Sequence, residues 1–163
     1  MNRISVLAIG LLSLIHAETK GQFKSGTTIA PFEITLSNGQ VFKAANVKKK
    51  VPVMLVYFAP DCDHCQHFSK DLLSNAAIIK NKQVIMITYF KVEDLVKFDK
   101  EYKLSANPNI KVGTEGTKFI VRKYYNILQF PYIVMYNSNG IEATRFTTDV
   151  PFETIRTAIL KLK

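Results

Sequence analysis

Cys62 and Cys65 are the only cysteines of this chain, and Asp63 and His64 separate them. Any disulfide within the chain must therefore join these two. A pair so close in sequence closes almost no loop and contributes little as a staple. Its spacing suits reactivity instead, because two thiols one helical turn apart can exchange a disulfide with another molecule. The pair follows an apolar run, residues 51–58, and opens a segment that reads as a helix. At a helix N-terminus Cys62 meets unpaired backbone N–H groups and the positive end of the dipole, and both favour a thiolate. Cys62 is the expected nucleophile, and Cys65, one turn further in, the thiol that resolves the mixed disulfide. A protonated His64 would stabilise the Cys62 thiolate and push the pair towards an oxidant, while Asp61 and Asp63 oppose that push. His67 reads as a surface residue of the same helix.

The elements that must position the pair are readable from pattern. Phe32-Glu33-Ile34-Thr35-Leu36 alternates apolar and polar like a half-buried strand, Asn38-Gly39 supplies a hairpin turn, and Val41-Phe42 starts the return. Residues 51–58 are nearly all apolar, which predicts a strand covered on both faces and ended by Pro60 and Asp61. Cys65, Phe68 and Leu72 share one face of the helix that follows. Residues 84–90 read as a second buried strand, and Val92, Leu95, Val96 and Tyr102 as the apolar stripe of a second helix. Residues 105–117, with Asn, Pro, Gly and Thr, read as a loop. A short helix over 117–124 follows, then a strand over 131–136 and the turn Asn137-Ser138-Asn139-Gly140. An antiparallel return over 141–147 leads to a last helix from Pro151, which buries Phe152, Ile155, Ile159 and Leu162. Strands alternating with helices predict a layered α/β sandwich with right-handed crossovers.

The chain has 163 residues, 47% apolar and 21% charged, which suits one folded domain with a real core. Its net charge of +9 is spread along the sequence, with one short cluster at Lys48, Lys49 and Lys50. No basic face interleaved with exposed aromatics and no nucleic-acid motif accompanies that charge, so no nucleic-acid partner is expected. The start differs from the rest. Arg3, the apolar stretch 4–15 and the small Ala17 match a secretory signal peptide, residues 1–17, with cleavage after Ala17. Residues 18–28 are then expected to form a flexible lead-in, and 29–163 the domain. Left uncleaved, the leader would associate the protein with a membrane. Export places the pair in an oxidising compartment where disulfides persist.

These features together resemble the thioredoxin superfamily, and more narrowly the exported TlpA-like thiol:disulfide oxidoreductases with their redoxin-like domain. Ala30-Pro31-Phe32-Glu33-Ile34-Thr35-Leu36-Ser37-Asn38-Gly39-Gln40 resembles that family's N-terminal hairpin. The run from Val53 through Ala59-Pro60-Asp61-Cys62-Asp63-His64-Cys65 resembles its active-site strand and turn. Phe130-Pro131-Tyr132, followed by Asn139-Gly140, resembles its cis-proline strand and turn. The resemblance implies a thioredoxin-like three-layer α/β/α sandwich with an N-terminal β-hairpin and a mixed central sheet. It implies a protein disulfide oxidoreductase of the bacterial periplasm, a reductase or isomerase, with Cys62–Cys65 as its redox disulfide. No cofactor and no metal are expected. The implied partners are substrate proteins with disulfides or thiols and an upstream membrane or periplasmic thiol electron donor.

The resemblance also assigns roles around the pair. Pro131 would be the cis-proline facing the disulfide, and Phe130 would offer its backbone to a substrate strand. Pro60 and Phe130, with Tyr57 and Phe58, would form an apolar rim, although one of Tyr57 and Phe58 must point into the core. One departure stands out: thioredoxins carry a buried Asp six residues before the first cysteine, and Val56 stands there. Three other readings stay open. A dithiol oxidase is favoured by the Cys-x-His-Cys pattern, but no large helical insertion lies between Phe90 and Pro131. A peroxidase would want Thr or Ser three residues before Cys62, where Ala59 stands. A metal-binding redox protein would use Cys62, Cys65 and His64 or His67 for a soft metal, although no histidine follows His67.

Overall fold

Strand formation is strongest where the sequence is most apolar, and that strand lies inside the sheet with neighbours on both sides. A computed structural model describes residues 28–163; the expected leader, and the lead-in up to residue 27, lie outside the described residues. Seven strands, β1 (Glu33–Leu36), β2 (Val41–Lys43), β3 (Val53–Tyr57), β4 (Gln83–Thr88), β5 (Ile110–Thr114), β6 (Tyr132–Tyr136) and β7 (Glu142–Phe146), form one sheet. Among the described residues four α-helices accompany them: α1 (Asp63–Ser74), α2 (Val92–Tyr102), α3 (Ile120–Tyr124) and α4 (Phe152–Lys161). The sheet order is β2-β1-β5-β4-β3-β6-β7. β3, β4 and β5 are parallel, and the hairpin β1–β2 and the pair β6–β7 flank them antiparallel.

The layers follow from these directions. Both crossovers, β3–α1–β4 and β4–α2–β5, step the same way across the sheet, so right-handedness puts α1 and α2 on one face. α4 joins them there. Cys65, Phe68 and Leu72 of α1, Leu95 and Phe98 of α2, and Ile155 and Ile159 of α4 pack on Met54, Val56, Val84, Met86, Ile133 and Met135. The opposite face carries Leu55, Tyr57, Ile85, Ile87, Val134 and Tyr136, covered by α3 and by the segment holding Ala30 and Phe32. Residues of β3 thus alternate between two apolar layers, and all five are buried. Each fully buried side chain of this kind contributes about 1.5–3 kcal/mol. Among the described residues no helix is long and apolar enough to cross a membrane.

The structure corrects the pattern reading at three places. Residues 105–117 are not a loop, because they contain β5, paired on both sides. The Asn, Pro and Gly that suggested a loop belong largely to its approach, while Ile110 and Val112 are buried. Gly113 stands inside the strand because β1 runs too close for a side chain. A Cβ there would lie 2.6 Å from Ile34 Cδ1 and 3.1 Å from the Thr35 carbonyl oxygen. The helix expected over 117–124 is divided into a 3-10 turn, Gly116–Lys118, and α3, with Phe119 left-handed between them at φ 51°. On α2, Val96 is 38% exposed, and Phe98 takes its place in the stripe Leu95, Phe98, Asp99, Tyr102. Asp99 is held in this buried position by the Ser105 N–H and the Ser37 hydroxyl, both of which donate to its carboxylate.

Because backbone limits the relaxation at Gly113, Gly113→Ala is expected to cost about 1–3 kcal/mol. The check is a urea unfolding curve whose midpoint falls while its slope holds.

Candidate active site

Strand register brings three segments to one end of the sheet. Tyr57, the last residue of β3, pairs with Ile87 of β4 and with Tyr132, the first residue of β6. The Cys62 turn, Tyr89-Phe90 and Phe130-Pro131 therefore meet beyond those strand ends. Pro60 and Asp61 end β3, and Cys62 caps α1 from an extended conformation, φ −92° and ψ 116°. Its Sγ accepts the Cys65 N–H at 3.4 Å, and its carbonyl oxygen accepts the Cys65 and Gln66 N–H groups, both at 3.0 Å. An amide aimed at the sulfur stabilises negative charge there. Gln66 Nε2 in turn donates to the Pro60 carbonyl at 3.0 Å, tying the turn to the helix.

The two thiols are free and differ in environment. Cys62 is partly exposed, and its thiol donates to the Phe130 carbonyl at 3.7 Å. Cys65 is 0% exposed and packs in the cluster that includes Val56, Phe58 and Phe68. Burial pushes the Cys65 thiol well above the usual thiol range, and its hydrogen bond with Cys62 pushes it further. Val56, the apolar residue at the place of a thioredoxin's buried Asp, belongs to that wall.

The Phe130–Pro131 peptide is cis, the geometry that the resemblance implies. Phe130 is half-buried, and its ring stacks at 5.9 Å on Tyr57 and lies 5.9 Å from Tyr89. Tyr57 and Phe58 are both core residues at 0% exposure, so neither belongs to the apolar rim. Half-buried Pro60 and Phe130 stay at the surface; Phe130 lies beside Tyr89, whose ring also meets Phe90 and Phe119. The Tyr57 hydroxyl donates to Glu115 Oε1 at 2.6 Å. Burial, then this bond to a carboxylate, raises the Tyr57 phenol far above its ordinary value, so it remains a donor. Glu115, 4% exposed, also accepts the Val121 N–H on Oε2 at 2.8 Å and the Arg122 N–H on Oε1 at 3.3 Å. It thereby caps α3 with a buried carboxylate.

His64 is exposed, and its bonded partner is Asp149 in the β7–α4 connection, Nε2 to Oδ1 at 3.4 Å. Asp149 takes the left-handed conformation, φ 66°, which Asp tolerates better than most residues. With side chains 60% and 73% exposed, the pair is worth at most about 1 kcal/mol. His64, His67, Asp71, Asp149 and Pro131 line a cleft of about 130 Å³. Among the described residues no group of three or more His, Cys, Asp or Glu is placed to hold a metal ion.

Sequence reading missed Glu115, Tyr89, Phe119, Arg122 and Asp149. Two of them had a signal. An acid just before a helical segment is a capping pattern, and residues after a buried parallel strand sit where α/β sheets bind ligands.

A helix-capping dithiol beside a cis-proline, on a mixed sheet with helices on both faces, defines the thioredoxin-like fold. A family model described as a thioredoxin-like domain matches residues 39–163, and the chain belongs to that family. Its fold is similar to that of a secreted Mycobacterium tuberculosis disulfide oxidoreductase homologous to E. coli DsbE. The TM-score is 0.69 at 20% identity, over 81% of this chain and 96% of that one. It is also similar to M. tuberculosis DsbF, solved in mixed oxidised and reduced forms, with TM-score 0.67 and 16% identity over 82% and 96% of the two chains. Arabidopsis thaliana ScoI with copper bound shares the fold at TM-score 0.62 and 12% identity, over 82% and 96%. No curated protein sequence matches the chain.

Removing the Glu115 carboxylate would leave the buried Tyr57 hydroxyl and the α3 N–H groups unpaired. Glu115→Ala is expected to cost about 2–4 kcal/mol, with Glu115→Gln recovering part of it, as read by urea unfolding.

Proposed function

We propose that the protein is an exported thiol-disulfide oxidoreductase of the bacterial periplasm that reduces or isomerises disulfides of partner proteins. The observation that carries the reading is the asymmetry of the pair: an accessible Cys62 sulfur under the Cys65 N–H, and a buried Cys65 one turn behind it. The Cys62 thiolate attacks one sulfur of a substrate disulfide. That S–S bond breaks, a mixed disulfide forms, and the departing substrate thiolate takes a proton. Cys65 then gives up its proton and attacks Cys62 Sγ, releasing the second substrate thiol. The substrate has gained two electrons and two protons, and Cys62–Cys65 is a disulfide. Returning it to the dithiol needs two electrons and two protons from an upstream membrane or periplasmic thiol donor. No further cofactor enters.

Pro131 has no N–H to compete for the sulfurs, and Phe130 with Pro60 borders the place where a substrate segment would lie. The signal-like residues 1–17 support export.

The deciding measurement is the equilibrium potential of the pair in defined thiol buffers. It is expected nearer the thioredoxin value, about −270 mV, than the DsbA value, about −120 mV, and a value at the latter end would make the protein an oxidase. His64→Ala is expected to lower that potential by only about 10–20 mV.

Cys65→Ser is expected to accumulate a mixed disulfide through Cys62, seen as a reducible adduct on non-reducing gels. Cys62→Ser should accumulate none; identical behaviour of the two variants would remove Cys62 as nucleophile. Since Cys65 must deprotonate from a raised starting point, resolution of a preformed adduct should quicken about tenfold per pH unit. No plateau is expected in the mildly alkaline range when the reaction is followed by stopped flow.

A further inference from the structure

Three arginines lie among the described residues, and two have acid partners: Arg145 on Glu142 and Arg156 on Glu153. Arg122 pairs with no carboxylate of the described residues. Its Nε donates to the Ile127 carbonyl at 3.3 Å, and its backbone N–H donates to Glu115. Its guanidinium carbon lies 5.2 Å from the Tyr89 ring centre, 5.6 Å from Phe130 and 5.9 Å from Phe119. Three aromatic faces and a backbone bond therefore hold the planar group in place while its terminal nitrogens keep their donors. A guanidinium held this way presents a rigid fork, the geometry that grips a carboxylate. Its neighbour Phe130 is also the residue whose carbonyl accepts the Cys62 thiol, so one residue separates the cation from the nucleophile. The Glu115 carboxylate beneath is occupied by the Tyr57 hydroxyl and two backbone N–H groups.

We propose that Arg122 recognises a carboxylate of the substrate, so that the protein selects partner segments with an acidic side chain close to the exchanging cysteine. This rests on the thiol-disulfide exchange reading above and adds a substrate class to it. The rings of Tyr89, Phe119 and Phe130 would cover the apolar stem of that segment, and Arg122 would fix its charged end.

The test uses the full chain and two synthetic peptide disulfides, identical except for Glu or Gln two residues from one cysteine. Each peptide is mixed with prereduced protein, whose dithiol supplies the two electrons, and the second-order rate constant of reduction is followed for the wild type, Arg122→Gln and Arg122→Lys. The wild type is expected to prefer the Glu peptide by about fivefold. That preference should shrink with added salt, as a charge pair at a surface must. Arg122→Gln should bring the ratio of the two peptides to one, and Arg122→Lys should keep part of it. A wild type without preference, or an Arg122→Gln variant that retains it, would overturn the proposal. Comparing the two peptides on the wild type across salt decides the matter even if Arg122→Gln folds poorly. Failure to reduce either peptide would overturn the exchange reading and this proposal with it, whereas equal reduction of both would overturn only the latter.

Discussion

The buried Glu115 carboxylate is the constraint on which the cis-proline side of the site depends. A carboxyl group at 4% exposure needs its oxygens satisfied, and here three donors reach them from two elements. The Tyr57 hydroxyl comes from the end of β3, and the Val121 and Arg122 N–H groups from the start of α3. Glu115 itself directly follows β5. One side chain therefore ties together the strand that leads to Cys62, the strand that sequence pattern hides, and the short helix under Phe130. Tyr57 carries Phe130 on its ring, and Phe130 offers its carbonyl to Cys62. The surroundings of Cys62 are thus set by packing on the sheet face opposite its own helix.

The other face sets the surroundings of Cys65. Cys65 lies among Val56, Phe58 and Phe68, where nothing favours its ionised form except a contact with the Ala59 backbone. A thioredoxin's buried Asp would supply a proton route at that place, and Val56 removes it. The two cysteines share a helix turn yet belong to different media: Cys62 to the surface and the N-terminal amides, Cys65 to the core. On the proposed function that difference would order the chemistry, with the accessible sulfur meeting the partner and the buried one acting once the partner is attached.

The sequence by itself determined the active-site strand, the helix behind it, the dithiol and the proline. Each is written in local pattern: an unbroken apolar run for a strand covered on both faces, a thiol pair at the first turn of a helix, and Phe130-Pro131 before another apolar run. Belonging to the thioredoxin-like family was legible for the same reason, because its marks are short and contiguous. Tertiary structure alone decided what depends on contacts between distant segments. β5 is a strand because β1 and β4 pair with it, and Gly113 is tolerated because the neighbouring strand needs the room. Tyr57 and Phe58 are both interior because both faces of β3 are covered. His64 meets Asp149, and Arg122 meets Tyr89, only because strand register brings connections far apart in sequence to one end of the sheet. Local pattern records how a segment meets water, whereas partners are chosen by the closure of the chain around a shared core.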